Sequence, residues 1–348
     1  MKKYTGIALL AIALVSCKKE TKTITKTDPV TGKTTTVEAS AEETKKTEET
    51  FAIKDSAGIY KQSFKLEKGQ TYPLTTYTRN IQTVTDPNGK SMSGTSESTD
   101  EMSFTVNDFK DGIYDISINL ISKRNSESMN GKTMAVDTKA AAPKEDQLKM
   151  MWNVNKALTG NKLQMKMKEN GEVVSITGFE PVYNKINASA GTMIKDAKQK
   201  TAFVQSFKQS FNEKVLKEQF SKNLMVLPEK GAKIGEKWTE SENASQDGKV
   251  KMTTTYTLKS VENGKATVAV TGGIPYRSDK QTQQGMTHSM GSEMSQSGNI
   301  VLDQATGWIT NQNVNLKTSQ TESISDGKKT QTMKSVSNTT VMVNPSGK

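Results

Sequence analysis

The sequence predicts an α+β protein: a large, curved antiparallel sheet or half-open β-barrel made of two similar halves, with a central helical segment covering one face. Three observations predict it. Apolar and polar residues alternate over most of the chain, as in Phe104-Thr105-Val106 and Ile116-Ser117-Ile118, which is the period of strands with one buried face. Asp111-Gly112, Asn130-Gly131, Asn170-Gly171 and Asn263-Gly264 punctuate these runs, and such dipeptides favour the left-handed turns of hairpins. Between about residues 181 and 226 the period lengthens to that of amphipathic helices.

In chain order, the strand pattern begins at Ile59, Phe64 and Leu66. It continues through Met102, Phe104 and Val106, through Ile116, Ile118 and Leu120, through Leu163, Met165 and Met167, and through Val173 and Ile176. Leu148, Met151, Trp152 and Leu158, closed by Gly160, mark a short helix between these runs. Pro181 opens a helical stretch carrying Val182, Ile186, Ala190 and Ile194. A second carries Phe203, Phe207, Phe211, Val215, Phe220 and Leu224 as one apolar stripe and stops before Pro228. Strands then return at Tyr256 and Leu258, at Ala266, Val268 and Val270, at Ile300 and Leu302, at Val314 and Leu316, and in a last run to Val343.

The two halves look like copies of one unit. Gly69-Gln70-Thr71-Tyr72 matches Gly235-Glu236-Lys237-Trp238. Phe104, Val106, Phe109, Gly112, Ile116 and Ile118 lie over Tyr256, Leu258, Val261, Gly264, Val268 and Val270 without a gap. Asn170-Gly171-Glu172-Val173 matches Thr306-Gly307-Trp308-Ile309 with one residue of slippage from the preceding strand.

The chain opens with Lys2 and Lys3, then an apolar run from Gly6 to Val15 that is too short to span a bilayer, then Ser16 and Cys17. Leu14-Val15-Ser16-Cys17 resembles the lipobox of a bacterial lipoprotein. The resemblance implies cleavage before Cys17, a thioether-linked diacylglycerol on its sulfur, acylation of the new amino group, and a membrane partner reached through that lipid. Residues 18–50 are almost devoid of apolar side chains and cannot bury enough surface to offset their ordering entropy, so a flexible tether is expected there. Lys18-Lys19-Glu20 lacks an Asp at residue 18 and resembles the charged surface-export signals of Bacteroidota lipoproteins. The expected organisation is a signal peptide at 1–16, lipidated cysteine and tether at 17–52, a first β-rich half at 53–180, a helical connection at 181–228 and a second β-rich half at 229–348. The expected location is the cell envelope, at the outer membrane.

The order of elements resembles an uncharacterised family of Bacteroidota lipoproteins over about Tyr60 to Val343. The resemblance rests on Phe64-Lys65-Leu66-Glu67-Lys68-Gly69-Gln70-Thr71-Tyr72, Lys110-Asp111-Gly112-Ile113-Tyr114, Gly235-Glu236-Lys237-Trp238 and Gly307-Trp308. It implies an address and a fold and assigns no activity.

The rest of the composition excludes chemistries. A formal charge of +11 is spread as interleaved Lys and Glu, without the basic stripe and aromatics of a nucleic-acid surface. Cys17 is the single cysteine, so no disulfide forms within the chain. His288 is the single histidine, and GxSxG, P-loop and dinucleotide fingerprints are missing, so the chain is expected to be non-catalytic and to need no cofactor. Met286, His288, Met290 and Met294 share one face of a strand and are soft ligands suited to Cu(I), although methionine also serves as ordinary core filler. Phe203, Phe207 and Phe211, with Trp238 and Trp308, form a candidate hydrophobic site.

Three functions follow as expectations. The first is carriage of a hydrophobic or amphipathic ligand such as lipid, which predicts a dry cavity between Phe203, Phe207, Phe211 and the inner strand residues. The second is a structural or protein-interaction lipoprotein, which predicts a plugged sheet with an exposed patch or edge. The third is Cu(I) handling, which predicts sulfurs converging on one point.

Overall fold

The computed structural model describes residues 23–27, 34–38, 51–245 and 248–345. The chain divides into a leading unit, Met1–Thr50, and a main unit, Phe51–Lys348. The expected signal peptide and Cys17 lie outside the described residues. In the leading unit, β1 (Thr23–Thr27) pairs antiparallel with β2 (Thr34–Glu38). This hairpin falls within the span expected to be the tether. Four of the five residues in each segment are β-branched, a composition that favours extended backbone.

The main unit begins with a small hairpin, β3 (Lys54–Ser56) and β4 (Ile59–Lys61). Then come β5 (Thr71–Thr85), β6 (Ser91–Lys110), β7 (Ile113–Met129), β8 (Lys132–Asp137), helix α1 (Asp146–Leu158), β9 (Lys162–Lys168) and β10 (Val173–Thr177). Three helices follow: α2 (Phe179–Met193), α3 (Ala197–Ser210) and α4 (Glu213–Leu224). The chain ends with β11 (Lys237–Asn243), β12 (Lys251–Glu262), β13 (Lys265–Gln283), β14 (Met286–Asp303), β15 (Ile309–Ser325) and β16 (Thr330–Val343).

The strands from β5 onward form one antiparallel sheet in the order β10-β9-β7-β6-β5-β16-β15-β14-β13-β12-β11, with β8 beside the far end of β7. Two meanders, β5 to β10 and β11 to β15, run in the same sense, and β16 joins them by pairing with β5 from Lys334 opposite Thr85 to Val343 opposite Thr76. The sheet is open, with β10 and β11 at its edges.

The match between the halves extends to single hydrogen bonds. Gly69 N donates to Val106 O at 2.8 Å and Gly235 N donates to Leu258 O at 2.7 Å. The turns Asp111-Gly112 and Asn263-Gly264 have φ of 52° and 75°, and of 51° and 73°. A bulge falls between Val106 and Asp108 in β6 and between Leu258 and Ser260 in β12, positions that the ungapped sequence match superposes.

The helices lie on one face and the core sits beneath them. Val182, Ile186 and Ala190 of α2 and Leu216, Phe220 and Leu224 of α4 are buried at i, i+4 spacing, and all but Ala190 share one core cluster with Phe104, Ile116, Ile118, Met165 and Met167. The single stripe expected from Phe203 to Leu224 is broken instead at Phe211-Asn212. Asn212 caps α4 by accepting from Val215 N at 3.1 Å, and its backbone is extended. Before the break, Phe203, Phe207 and Phe211 pack against the margin of the core and stay half-buried.

Helix α4 touches both edges of the sheet. At β10, Lys217 Nζ donates to Val174 O at 2.8 Å, and Ile176 N donates to Glu213 Oε1 at 3.3 Å. At β11, Lys222 Nζ lies 2.6 Å from Glu242 Oε1. A segment preceding β5 straps the halves from below. Phe64 N donates to Glu169 O and Lys65 N to Thr306 O. Buried Gln62 donates to Leu224 O and Gly307 O, and it accepts from Val226 N and Leu227 N, so its amide is fully used.

Candidate functional site

The structure places the sequence-predicted hydrophobic residues in or against one core cluster, each in a different setting. Phe203, Phe207 and Phe211 are half-buried, and α3 contributes no buried residue. Phe207 and Phe211 pack on α2: Phe211 lies 5.7 Å from Phe179, Phe207 lies 6.4 Å from Tyr183, and Tyr183 Oη donates to Phe211 O. The surface that these side chains were expected to face is filled by α4, whose Phe220 ring stands 5.4 Å from Phe104.

Trp308 is a core residue, 3% exposed. Its ring lies 5.2 Å from Phe104 and 5.3 Å from Tyr72, and its Nε1 donates to Pro73 O. This leaves no face for a ligand. Trp238 sits in β11 at the position that Tyr72 holds in the first half, stacked on Tyr256 at 5.6 Å with a 17° angle between rings. Its Nε1 is buried without a hydrogen-bond partner among the described residues. Burial pushes the Tyr256 phenol up to about 12, and the carboxylates of Glu240 and Glu242 push the same way.

Strand geometry spreads the candidate soft ligands along β14. Met286, His288, Met290 and Met294 do share one side of β14. Same-side neighbours on a strand are about 6.6 Å apart, and Met286 and Met294 are separated by about 26 Å of extended chain. Met286 and Met290 are exposed and face Gln283 and Asp279 across the ladder. Among the described residues no group of three His, Cys, Asp or Glu side chains is placed to hold a metal ion.

On the face turned away from the helices, a polar cavity of ≈ 510 Å³ opens beside the β16–β5 seam. Local backbone geometry builds it. Met102 faces Leu120 across the β6–β7 ladder, but Glu101 faces Ser122, so Ile121 is an extra residue in β7. This bulge swings Ser122 and Arg124 away from the helix side, onto the side that holds Glu97, Glu101 and Tyr77. Tyr77 Oη donates to Glu97 Oε1 at 2.8 Å, with Arg79 Nε at 3.4 Å from the same oxygen and an Arg124 guanidinium nitrogen at 3.8 Å from the other. Lys139 Nζ lies 2.6 Å from Glu101 Oε2 and holds that carboxyl below its usual range, with help from Ser122 and against burial. Asn344 closes the end of the seam: its Nδ2 donates to Pro73 O and Ile309 O, and its Oδ1 accepts from Thr75 N. These carboxylates are engaged with cations or hydroxyls, an arrangement that suits a polar contact surface more than proton transfer. The sequence pattern did not reveal this cavity, because its bulge inverts the alternation after Leu120.

No helix among the described residues is long and apolar enough to cross a membrane. Among solved structures, "Lipid-protein interactions in lipovitellin" is similar at 9% identity and a TM-score of 0.34, covering 81% of this chain and 26% of the lipovitellin chain. OccK7 (OpdD) of Pseudomonas aeruginosa is similar at 6% identity and a TM-score of 0.18, over 79% of this chain and 99% of its own. The COG4313 outer membrane channel of Pseudomonas putida F1 is similar at 10% identity and a TM-score of 0.15, over 83% and 99%. Likenesses this distant carry no argument about function. No curated protein matches the chain. The model of a family of unknown function, DUF6263, matches residues 111–309, more than half of the chain and most of both meanders, and the protein belongs to that family.

Proposed function

We propose that this protein is a non-catalytic, lipid-anchored lipoprotein of the cell envelope whose rigid sheet serves as a binding surface for another envelope macromolecule. The lipobox-like Leu14–Cys17 supports the anchor and the address. One observation carries the choice of surface over carrier: the place where a lipid would sit is filled by α4. Phe104, Ile116, Ile118, Met165, Met167 and Phe220 are at most 2% exposed, and α4 is tied to both sheet edges. A side chain so enclosed leaves no dry volume for an acyl chain. The edges themselves are blunted, β10 by hydrogen bonds from α4 and β11 by Lys237, Glu240 and Glu242, so a partner meets the polar face rather than adding a strand.

Carriage of a hydrophobic ligand is the second reading, and α3 is the observation that favours it. A helix without a buried residue, holding half-buried Phe203 and Phe207 and followed by half-buried Phe211, is the element whose displacement would open apolar surface at least cost. Native mass spectrometry of the chain from Lys18, purified without detergent and paired with solvent extraction, separates the two. The binding-surface reading expects the bare protein mass and an extract free of lipid. A lipid recovered in stoichiometric amount would overturn it in favour of the carrier.

A further inference from the structure

The second meander carries a hollow of ≈ 470 Å³ on the same polar face, where β13 changes course. Gly272 and Gly273 have φ of +145° and +144°. A Cβ on the first would stand 2.0 Å from Thr253 O and on the second 1.9 Å from Met294 O, so glycine is required at both. Just beyond them the ladder slips: Ile274 faces Met294, but Arg277 faces Ser292, which sets Pro275 and Tyr276 against Glu293 alone. Proline is tolerated there because a bulge removes the demand for its missing N–H.

The bulge throws Tyr276 onto the surface. At 65% it is the most exposed large hydrophobic side chain among the described residues. One edge of its ring rests over buried Gly291, where a Cβ would come within 2.5 Å of the phenol oxygen. The phenol end of the ring is therefore seated on backbone while most of the side chain is open to solvent. Glu293 and Lys317 stand exposed on the rim, and neither makes an ion pair or a side-chain hydrogen bond among the described residues. Ser295, Ser319 and Thr253 complete the lining with hydroxyls.

We propose that this hollow is a saccharide-binding site, with Tyr276 as the platform and Glu293 and Lys317 as the acceptor and donor for sugar hydroxyls. A sugar ring presents an apolar face of C–H groups edged by hydroxyls, and an open aromatic face flanked by one acceptor and one donor answers both features. The alternatives fit less well. An extended peptide would need free backbone edges, but β13, β14 and β15 are interior strands paired on both sides. A phosphate headgroup calls for converging cations, and here Lys317 is offset by Glu293. The inference concerns the folded sheet alone and stands whether or not the chain is lipid-anchored or carries a lipid.

The test is saturation-transfer NMR and titration of the chain from Lys18, which keeps every described residue, against maltotriose, cellotriose, xylotriose and chitotriose. At least one trisaccharide should bind the wild-type chain with a dissociation constant near ~1 mM, the range open to a shallow site. Tyr276→Ala should weaken that binding roughly tenfold or more, while Tyr276→Phe, which keeps the platform, should stay within about threefold. Glu293→Gln and Lys317→Met should each weaken it by roughly fivefold, about the worth of one hydrogen bond. Thermal melting of each variant reports whether the fold is intact. Failure of all four sugars to bind the wild-type chain would overturn the proposal. So would unchanged binding in a folded Tyr276→Ala variant, which would leave Tyr276 as a cover for Gly291. Binding to phosphatidylglycerol vesicles with no sugar response would overturn it in favour of a headgroup site.

Discussion

Tyr256 shows how one residue's burial becomes a pH dependence. Its phenol ionises at about 12 in the folded chain and near 10 when unfolded, so the folded state holds the proton more tightly. The stability this contributes is complete below pH 10 and is lost as pH rises through 12. Burial shifts Tyr72, Tyr114 and Tyr183 in the same direction, and they add to the alkaline loss. Tyr256→Phe removes one of these protons. Its urea midpoint should therefore fall less steeply than that of the wild type between about pH 10 and 12; parallel curves would show that Tyr256 titrates normally. Trp238, stacked on the same ring, illustrates the opposite side of burial: its indole N–H is enclosed with no acceptor among the described residues.

At the level of elements, the decisive event is the break at Asn212. A continuous helix through Phe203 to Leu224 would have laid every phenylalanine against the sheet. The cap at Asn212 turns the chain, so α2 and α4 bury their apolar faces in the core while α3, with no fully buried residue, leans on α2. Two substitutions measure this division of labour. Phe220→Ala removes a ring that is 2% exposed and should cost about 3–5 kcal/mol in urea unfolding. Phe207→Ala removes a half-buried ring between α2 and α3 and should cost about 1–2 kcal/mol. Equal losses would mean that α3 bears on the core as heavily as α4. The stripe was legible as helix because i, i+4 spacing survives the break. The break itself was not, because Asn is ordinary in a polar helix face and becomes a cap only where tertiary packing turns the chain.

For the whole molecule, the tandem meanders explain why one sheet can be so long and still have a single packed core. The matched turns at Asp111-Gly112 and Asn263-Gly264 and the matched bulges in β6 and β12 start each half in the same way. β16 then removes what would have been two inner edges by pairing with both β15 and β5. The proposed anchor is a whole-molecule property too. Cys17→Ala should abolish metabolic labelling with an alkyne fatty acid and shift the protein out of the envelope fraction that holds the wild type; a labelled or unshifted variant would place the lipid, or the address, elsewhere in the chain.

The sequence by itself determined the fold class, the hairpin turns, the helical middle and the kinship of the two halves. These are written in local spacing, in the two-residue period, the Asn-Gly and Asp-Gly turns and the i, i+4 stripes, and local backbone sterics enforce them wherever they occur. Only the tertiary structure decided which apolar residues are enclosed and which polar ones converge. Trp308 and Phe207 look alike as candidate ligand contacts in one dimension, yet one is locked in the core and the other lies between helices. Glu97 and Arg124 meet, and Tyr276 and Lys317 line one hollow, only because a bulge of one residue flips the faces of β7 and β13 and because distant strands pair beside them. A period of two records that side chains alternate, but the phase of that alternation after a bulge is set by the partner strand.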